Sequence, residues 1–162
     1  MVRGKMGLEM RGYFGVGIYR PKTEANVGTL WRTAYLMDAA FVFTVGERYH
    51  KQAADTPDTA RHVPLLHFGD FDDLIDHLPE GCHRVAVEQG GRTLVGWSHP
   101  ERCVYLLGAE DDGLPIEVLR RCGWTITIPS VREQSMNVAV AGSIVLYDRL
   151  AKTRGPHLPT PA

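Results

Sequence analysis

The chain has three cysteines, and Cys82, Cys103 and Cys122 stand far apart in sequence. No C-x-x-C pair or H-x-x-x-H spacing accompanies them, which argues against structural zinc and leaves no expected metal. Their odd number, with no signal-like leader in MVRGKMGLEMRG, points to a reducing, cytoplasmic compartment. No run approaches the roughly 20 apolar residues of a membrane-spanning helix. Charge of neither sign dominates: 18 Lys and Arg stand against 19 Asp and Glu, a formal net charge of -1. A protein holding nucleic acid by overall basicity is therefore excluded; any RNA contact needs a local patch or a groove shared by two copies. Two phosphate-binding fingerprints are also missing. G-x-x-x-x-G-K-[ST] does not occur, and GYFGVG, the nearest approach to G-x-G-x-x-G, precedes or enters a strand-like run instead of opening a helix.

What remains is the composition of an ordinary globular domain, 44% hydrophobic and 23% charged. A chain of 162 residues suits one domain and buries enough surface to fold without disulfides or metal. Short β-rich runs fall at 14–19, 41–46, 63–68, 84–89, 103–108 and 124–129. Several are apolar on both faces, as in a parallel sheet covered on both sides. Helical spacing lies between them. Val27, Leu30, Trp31 and Ala34 form a stripe in 26–37, with Asn26 as the expected N-cap. Asp70 opens 70–78, Pro115 opens 115–121, and 136–151 is apolar around most of its circumference. Such a helix is buried, and a subunit interface is one place to bury it. The alternation predicts an α/β fold. The expected layout is an N-terminal extension over 1–13, a domain over 14–151 and a flexible tail over 152–162, with a polar loop at 47–61.

Three segments carry chemistry. NVGTLWRTA (26–34) sets Asn26, Gly28 and Arg32 on one turn-to-helix stretch. LLGAEDDGLP (106–115) ends an apolar run with Gly108 and Gly113 around Glu110. IPSVREQSMNVAVAG (128–142) follows another apolar run with Ser135 and Asn137, where Ser135 suits a helix N-cap. Taken singly, each has an ordinary explanation as a cap, a turn or a solvated charge. The acidic turn lacks the 12-residue ligand spacing of an EF-hand.

Together, in this order, they resemble the three motifs of the SpoU/TrmH branch of the SPOUT RNA methyltransferases: N-x-G-x-x-x-R, G-x-E-x-x-G-L and S-x-N. Ala139 stands where a second Ser is common in the family. The resemblance spans about 14–151. It implies a parallel-sheet α/β-knot fold in which the C-terminal segment forms a trefoil knot around the cofactor pocket. Periodicity alone would have suggested an unthreaded sheet. It also implies S-adenosyl-L-methionine (AdoMet) as cofactor, near Val87, Leu107, Gly108, Ile128, Pro129, Ser135, Met136 and Asn137. Arg32, Asn26, Glu110, Ser135 and Asn137 become the catalytic candidates, with Glu110 orienting Asn26 or Arg32.

The implied reaction is methyl transfer to a ribose 2′-hydroxyl in RNA. A guanidinium is too basic to serve as a general base, so Arg32 is expected to donate hydrogen bonds to the developing alkoxide and to a phosphate that takes the proton. The chain is similar in size to the TrmL-type members that act on the wobble nucleotide of leucine tRNAs, which favours tRNA over rRNA. A homodimer through the C-terminal helix would shape the RNA groove, with Arg3, Lys5, Arg11, Arg48, Lys51, Arg61, Lys152 and Arg154 available for phosphates. The alternatives are an rRNA 2′-O-methyltransferase, a catalytically silent knotted protein that binds RNA or AdoMet, and a plain nucleotide-binding module. The histidines offer no defensible catalytic pair.

Overall fold

A computed structural model describes residues 12–50 and 57–155. Six parallel strands form one sheet: β1 (Tyr13–Tyr19), β2 (Phe41–Val45), β3 (Leu65–Phe68), β4 (His83–Thr93), β5 (Arg102–Leu107) and β6 (Trp124–Thr127). Their order is β3-β2-β1-β5-β4-β6. Helices α1 (Glu24–Leu36), α2 (Pro57–His62), α3 (Phe71–His77), α4 (Ile116–Arg121) and α5 (Val138–Arg154) connect and cover them, with a short 3-10 turn at Leu94–Gly96. The α/β expectation and all six strands are thus observed. Among the described residues no helix is long and apolar enough to cross a membrane.

The period of two along each strand divides the core into two layers. On β5, Cys103, Tyr105 and Leu107 face a cluster built with α1 and α5. Val104 and Leu106 face a second cluster with Phe71 and Leu74 of α3 and Val118 of α4. Burying both faces explains the unbroken apolar runs read in the sequence. Helices α1 and α5 approach closely because Gly142 has no side chain; a Cβ there would lie 2.5 Å from Leu30 Cδ1.

Two helix starts differ from expectation. Helix α1 begins at Glu24, two residues after Arg20-Pro21-Lys22 has turned off the sheet's end, with Thr23 as N-cap. Asn26 lies inside the first turn, its amide drawn elsewhere by a partner distant in sequence. Helix α5 is capped by Asn137, whose side chain accepts from Ala139 N and Val140 N, and not by Ser135. It also runs to Arg154, so the first residues of the expected tail are helical. The polar loop 47–61 contains α2 at its end. The rest of the tail, the extension before Gly12, and with them Arg3, Lys5, Arg11 and Lys51, lie outside the described residues.

The order of the strands reverses at β1: the chain steps outward to β2 and β3 on one side, then crosses to β4, β5 and β6 on the other, with β5 beside β1. Loops leaving the carboxyl ends of strands on either side of such a switch point diverge and leave a crevice. All three motifs sit there.

Candidate active site

A cleft of about 860 Å³ opens beyond the ends of β4, β5 and β6. Its floor is apolar, with Val87, Leu107, Ile128 and Ala141, and its rim is polar. Gly108, Glu110, Pro129, Ser135 and Met136 also line it. Eight sequence-predicted residues are therefore gathered around one cavity: Val87, Leu107, Gly108, Glu110, Ile128, Pro129, Ser135 and Met136. Asn26 and Asn137 stand beside it, attached through Glu110.

That attachment joins the three motifs. Asn26 Nδ2 donates to Glu110 Oε1 at 2.5 Å. Asn137 Nδ2 donates to Asn26 Oδ1 at 3.1 Å. Asn137 Oδ1 accepts from Ala139 N at 3.0 Å and Val140 N at 3.2 Å. The direction follows from chemistry. An ionised carboxylate accepts only, so Asn26 must turn its NH₂ toward Glu110 and its oxygen toward Asn137. Asn137 must then donate, which leaves its own oxygen for the helix. One charge thus orients two amides and a helix cap. The second carboxylate oxygen, Glu110 Oε2, is buried with no hydrogen-bond partner. A buried unpaired acceptor is costly, so this atom is a natural receiver for a donor brought by a ligand.

The loop 109–113 is held from both sides. Glu88 Oε2 accepts from Leu114 N at 3.0 Å, and Glu88 Oε1 from Gln89 N at 2.9 Å. Lys22 pairs with Asp111 at 3.0 Å and Asp112 at 3.2 Å. These carboxylates raise the Lys22 pKa, Asp111 foremost. Gly108 is packed against the loop's own return: a Cβ would lie 2.6 Å from Gly113 Cα and 2.6 Å from Leu114 N. Its missing side chain is therefore needed by the backbone itself, whatever approaches from the cleft. Gly113 has φ +63°, in the left-handed region open to glycine. Glu88, Lys22 and Thr127, whose hydroxyl donates to Glu88 O at 2.6 Å, had no local signature in the sequence.

Arg32 is the exception among the candidates. It lies on the exposed side of α1, does not line the cleft, and has no ion pair among the described residues. Leu36, one turn on, is 67% exposed. On α5, Val140 and Tyr147 are 49% and 60% exposed. Of the basic residues proposed for phosphates, Lys152 donates to Leu94 O and Trp97 O and pairs with Asp148, and Arg154 pairs with Asp38.

A buried polar group lies behind the site. Arg149 Nη1 donates to Tyr105 Oη at 3.1 Å, and Tyr105 Oη lies 2.5 Å from His99 Nδ1. His99 Nε2 lies 2.8 Å from Asp148 Oδ2. Burial lowers the His99 pKa despite the opposing pull of Asp148. Burial also pushes the Tyr105 hydroxyl well up, so it keeps its proton and donates to His99 Nδ1. His99 is then neutral, with its proton on Nε2 facing Asp148. This network fastens α5 to the 94–101 segment; sequence reasoning missed it because its members are scattered.

The model of the SpoU rRNA methylase family matches residues 14–147. The chain belongs to that family. Among SpoU relatives, a tRNA (cytidine(34)-2′-O)-methyltransferase from Ancylobacter novellus is 30% identical over 153 residues, covering 86% of this chain and 93% of that enzyme. A solved structure concerning 2-OH methylation of C/U34 on tRNA shares 26% identity with a TM-score of 0.76, covering 89% of this chain and 98% of that one. An AdoMet-bound rRNA methyltransferase from Sinorhizobium meliloti shares 26% identity with a TM-score of 0.68. It matches 92% of this chain, which spans 58% of that longer enzyme.

The cleft suits the SpoU cofactor. AdoMet carries a sulfonium and an ammonium against one carboxylate. Glu88, Glu110, Asp111, Asp112 and Glu133 line the cavity, with Arg132 as the one cation in its lining. The apolar floor would hold the adenosine, the acidic rim the cationic end. When bound, AdoMet supplies an electrophilic methyl group on a good leaving group.

Proposed function

We propose that this SpoU methylase transfers a methyl group from AdoMet to a ribose 2′-hydroxyl of tRNA, with the wobble nucleotide as first choice. The observation that carries the reading is the Glu110–Asn26–Asn137 chain, which ties all three motifs together at the mouth of one cleft. The size of the protein and its relatives' substrates support tRNA over rRNA, and a tRNA substrate fits a cytoplasmic protein.

The residues divide the work. Val87, Leu107, Gly108, Ile128, Pro129 and Met136 hold the cofactor, and Ser135 and Asn137 border it. Glu110 fixes Asn26 and Asn137. Arg32 stays protonated and donates to the oxygen that loses its proton and to a neighbouring phosphate, which accepts that proton. Holding the sugar oxygen in line supplies most of the acceleration such a reaction needs, about 7–11 kcal/mol for a well-oriented pair.

The enzyme works as a homodimer. Leu36 on α1 and Val140 and Tyr147 on α5 leave an apolar surface for a second copy. Arg32 shares that surface, so pairing there sets it in a groove built from both chains. The C-terminal segment is threaded as a knot, in keeping with the return of α5 from the edge strand β6 to the middle of the sheet and its tie to 94–97. The domain is taken from Tyr13, the first residue of β1, to Arg154, the last of α5.

Incubation with AdoMet and either bulk tRNA or rRNA, followed by nucleoside mass spectrometry, tests the reaction. A 2′-O-methylated nucleoside from tRNA is expected; methylation of rRNA alone, or none, refutes it. Arg32→Ala should abolish turnover and keep AdoMet binding by calorimetry, whereas an Arg32→Lys variant with full activity would refute the forked-donor role. Tyr147→Glu should yield monomers in sedimentation.

A further inference from the structure

A second hollow, of about 680 Å³, lies at the carboxyl ends of β1 and β2. It shares Ala109, Asp112 and Gly113 with the cofactor cleft, so the loop 109–113 forms a wall of both cavities. Tyr19, Pro21 and Pro115 give it flat apolar surfaces. Arg20, Lys22 and Glu47 supply charge.

These charges are not equivalent. Lys22 is engaged with Asp111 and Asp112. Arg20 and Glu47 have no ion pair or hydrogen bond through their side chains among the described residues, with each other or with anything else. Yet Arg20 is held in place. Its backbone is left-handed at φ +49°, an unfavourable conformation for a residue with a side chain. Its amide donates to Val45 O at 2.7 Å. Its stem runs past Gly46, where a Cβ would lie 3.0 Å from Arg20 Cγ. Its guanidinium rests 5.4 Å from the centre of the Tyr19 ring. Strained backbone retained around an unpaired side chain is a mark of functional sites.

We propose that this hollow is the subsite for the RNA nucleotide that is methylated, with its phosphate on Arg20 and an exocyclic amino group of its base on Glu47. The inference rests on the tRNA-methylation reading and deepens it. A planar, forked guanidinium matches a phosphate. An ionised carboxylate accepts and cannot donate, so Glu47 selects a base edge bearing an amino group, as cytosine does, over the carbonyl of uracil. The two prolines, Pro21 and Pro115, give the base a flat surface beside the guanidinium that rests on Tyr19. With the base in this hollow, the ribose crosses the 109–113 wall and its 2′-oxygen meets the cofactor cleft on the far side.

The test uses the full-length enzyme, bulk tRNA to map the methylated position, and transcripts differing only in cytidine or uridine at that position. Arg20→Ala should raise the KM for RNA about tenfold, leaving AdoMet affinity by calorimetry unchanged. It should also lower the slope of log KM against log salt by about 1, the signature of one lost phosphate contact. Glu47→Gln should shrink the preference for cytidine over uridine by about fivefold or more, because an amide can turn its NH₂ to the uracil carbonyl. Thermal denaturation confirms that both variants fold. An unchanged KM and salt slope in Arg20→Ala, or an unchanged cytidine-to-uridine ratio in Glu47→Gln, overturns the subsite while the methylation reading stands. A wild-type enzyme that binds AdoMet and methylates no RNA overturns that reading and this inference with it.

Discussion

Replacing Asn137 separates the two duties its side chain performs. Its oxygen caps α5 and its NH₂ holds Asn26. In Asn137→Ala both are lost. A missing cap costs about 1 kcal/mol, and the lost hydrogen bond to a half-buried amide about 1 kcal/mol more. A loss of about 2 kcal/mol in a domain of this size lowers Tm by about 4–8 °C. Asn137→Asp keeps the cap and adds a charge that the helix N-terminus favours. It should unfold within about 0.5 kcal/mol of wild type, since cap and dipole offset the lost bond. Its activity, however, should fall sharply: Asn26 would then face acceptor-only carboxylates at both Glu110 and position 137 and could satisfy one of them. Urea denaturation and methyl-transfer rates on the same preparations provide the comparison. Full activity in Asn137→Asp would refute the one-way orientation of the chain from Glu110. A destabilisation of Asn137→Ala below about 0.5 kcal/mol would refute the capping argument.

Gly108→Ala should destabilise by about 3 kcal/mol or more, because the new methyl meets the Gly113–Leu114 backbone, which cannot rotate away; a urea midpoint equal to wild type would contradict this. Stability should also depend on His99. Burial lowers its folded pKa below the ordinary 6.5, so the unfolded chain takes up the proton first. Its contribution is complete above about pH 6.5 and declines as pH falls from there toward the folded pKa. Urea unfolding at pH 7.5 and 5.5 should show this loss in wild type and a smaller one in His99→Gln; equal losses would exclude His99 as the source. Arg20→Gly should relieve the left-handed strain and raise stability by up to about 1 kcal/mol while weakening RNA binding, and a drop in Tm would show that the side chain's packing outweighs the strain.

The strands were legible because a sheet covered on both faces demands apolar residues at consecutive positions, and runs such as 103–108 supply them. The stripe Val27, Leu30, Trp31 and Ala34 was legible for the same reason, and all four are buried. The gathering of residues from 106–115 and 128–136 around one cleft was foreseen through motif resemblance, not through periodicity. What escaped notice depends on partners far apart. Asn26 looks like a cap by local rules, yet Glu110, 84 residues away, takes its amide. Ser135 is as good a cap as Asn137 in isolation; the choice falls to the residue that can also reach Asn26. Glu88 reads as the polar end of a strand until Leu114 and Gly113 are placed over it. His99 draws partners from Tyr105 and Asp148, and no sequence window contains them all. The extension of β4 to Thr93 depends on a register shift that re-pairs Arg92 and Thr93 with β6.

The partition at 109–113 has two faces and one shared set of fasteners: Glu88, Lys22, and Asn26 through Glu110. A shift that widens one chamber narrows the other. With AdoMet in one chamber and the proposed nucleotide in the other, any coupling through this loop would act on both by the same factor. Order of arrival, discrimination between fresh and spent donor, and release of finished RNA would all be settled at one thin septum, and no substitution within it could adjust one guest without disturbing its neighbour.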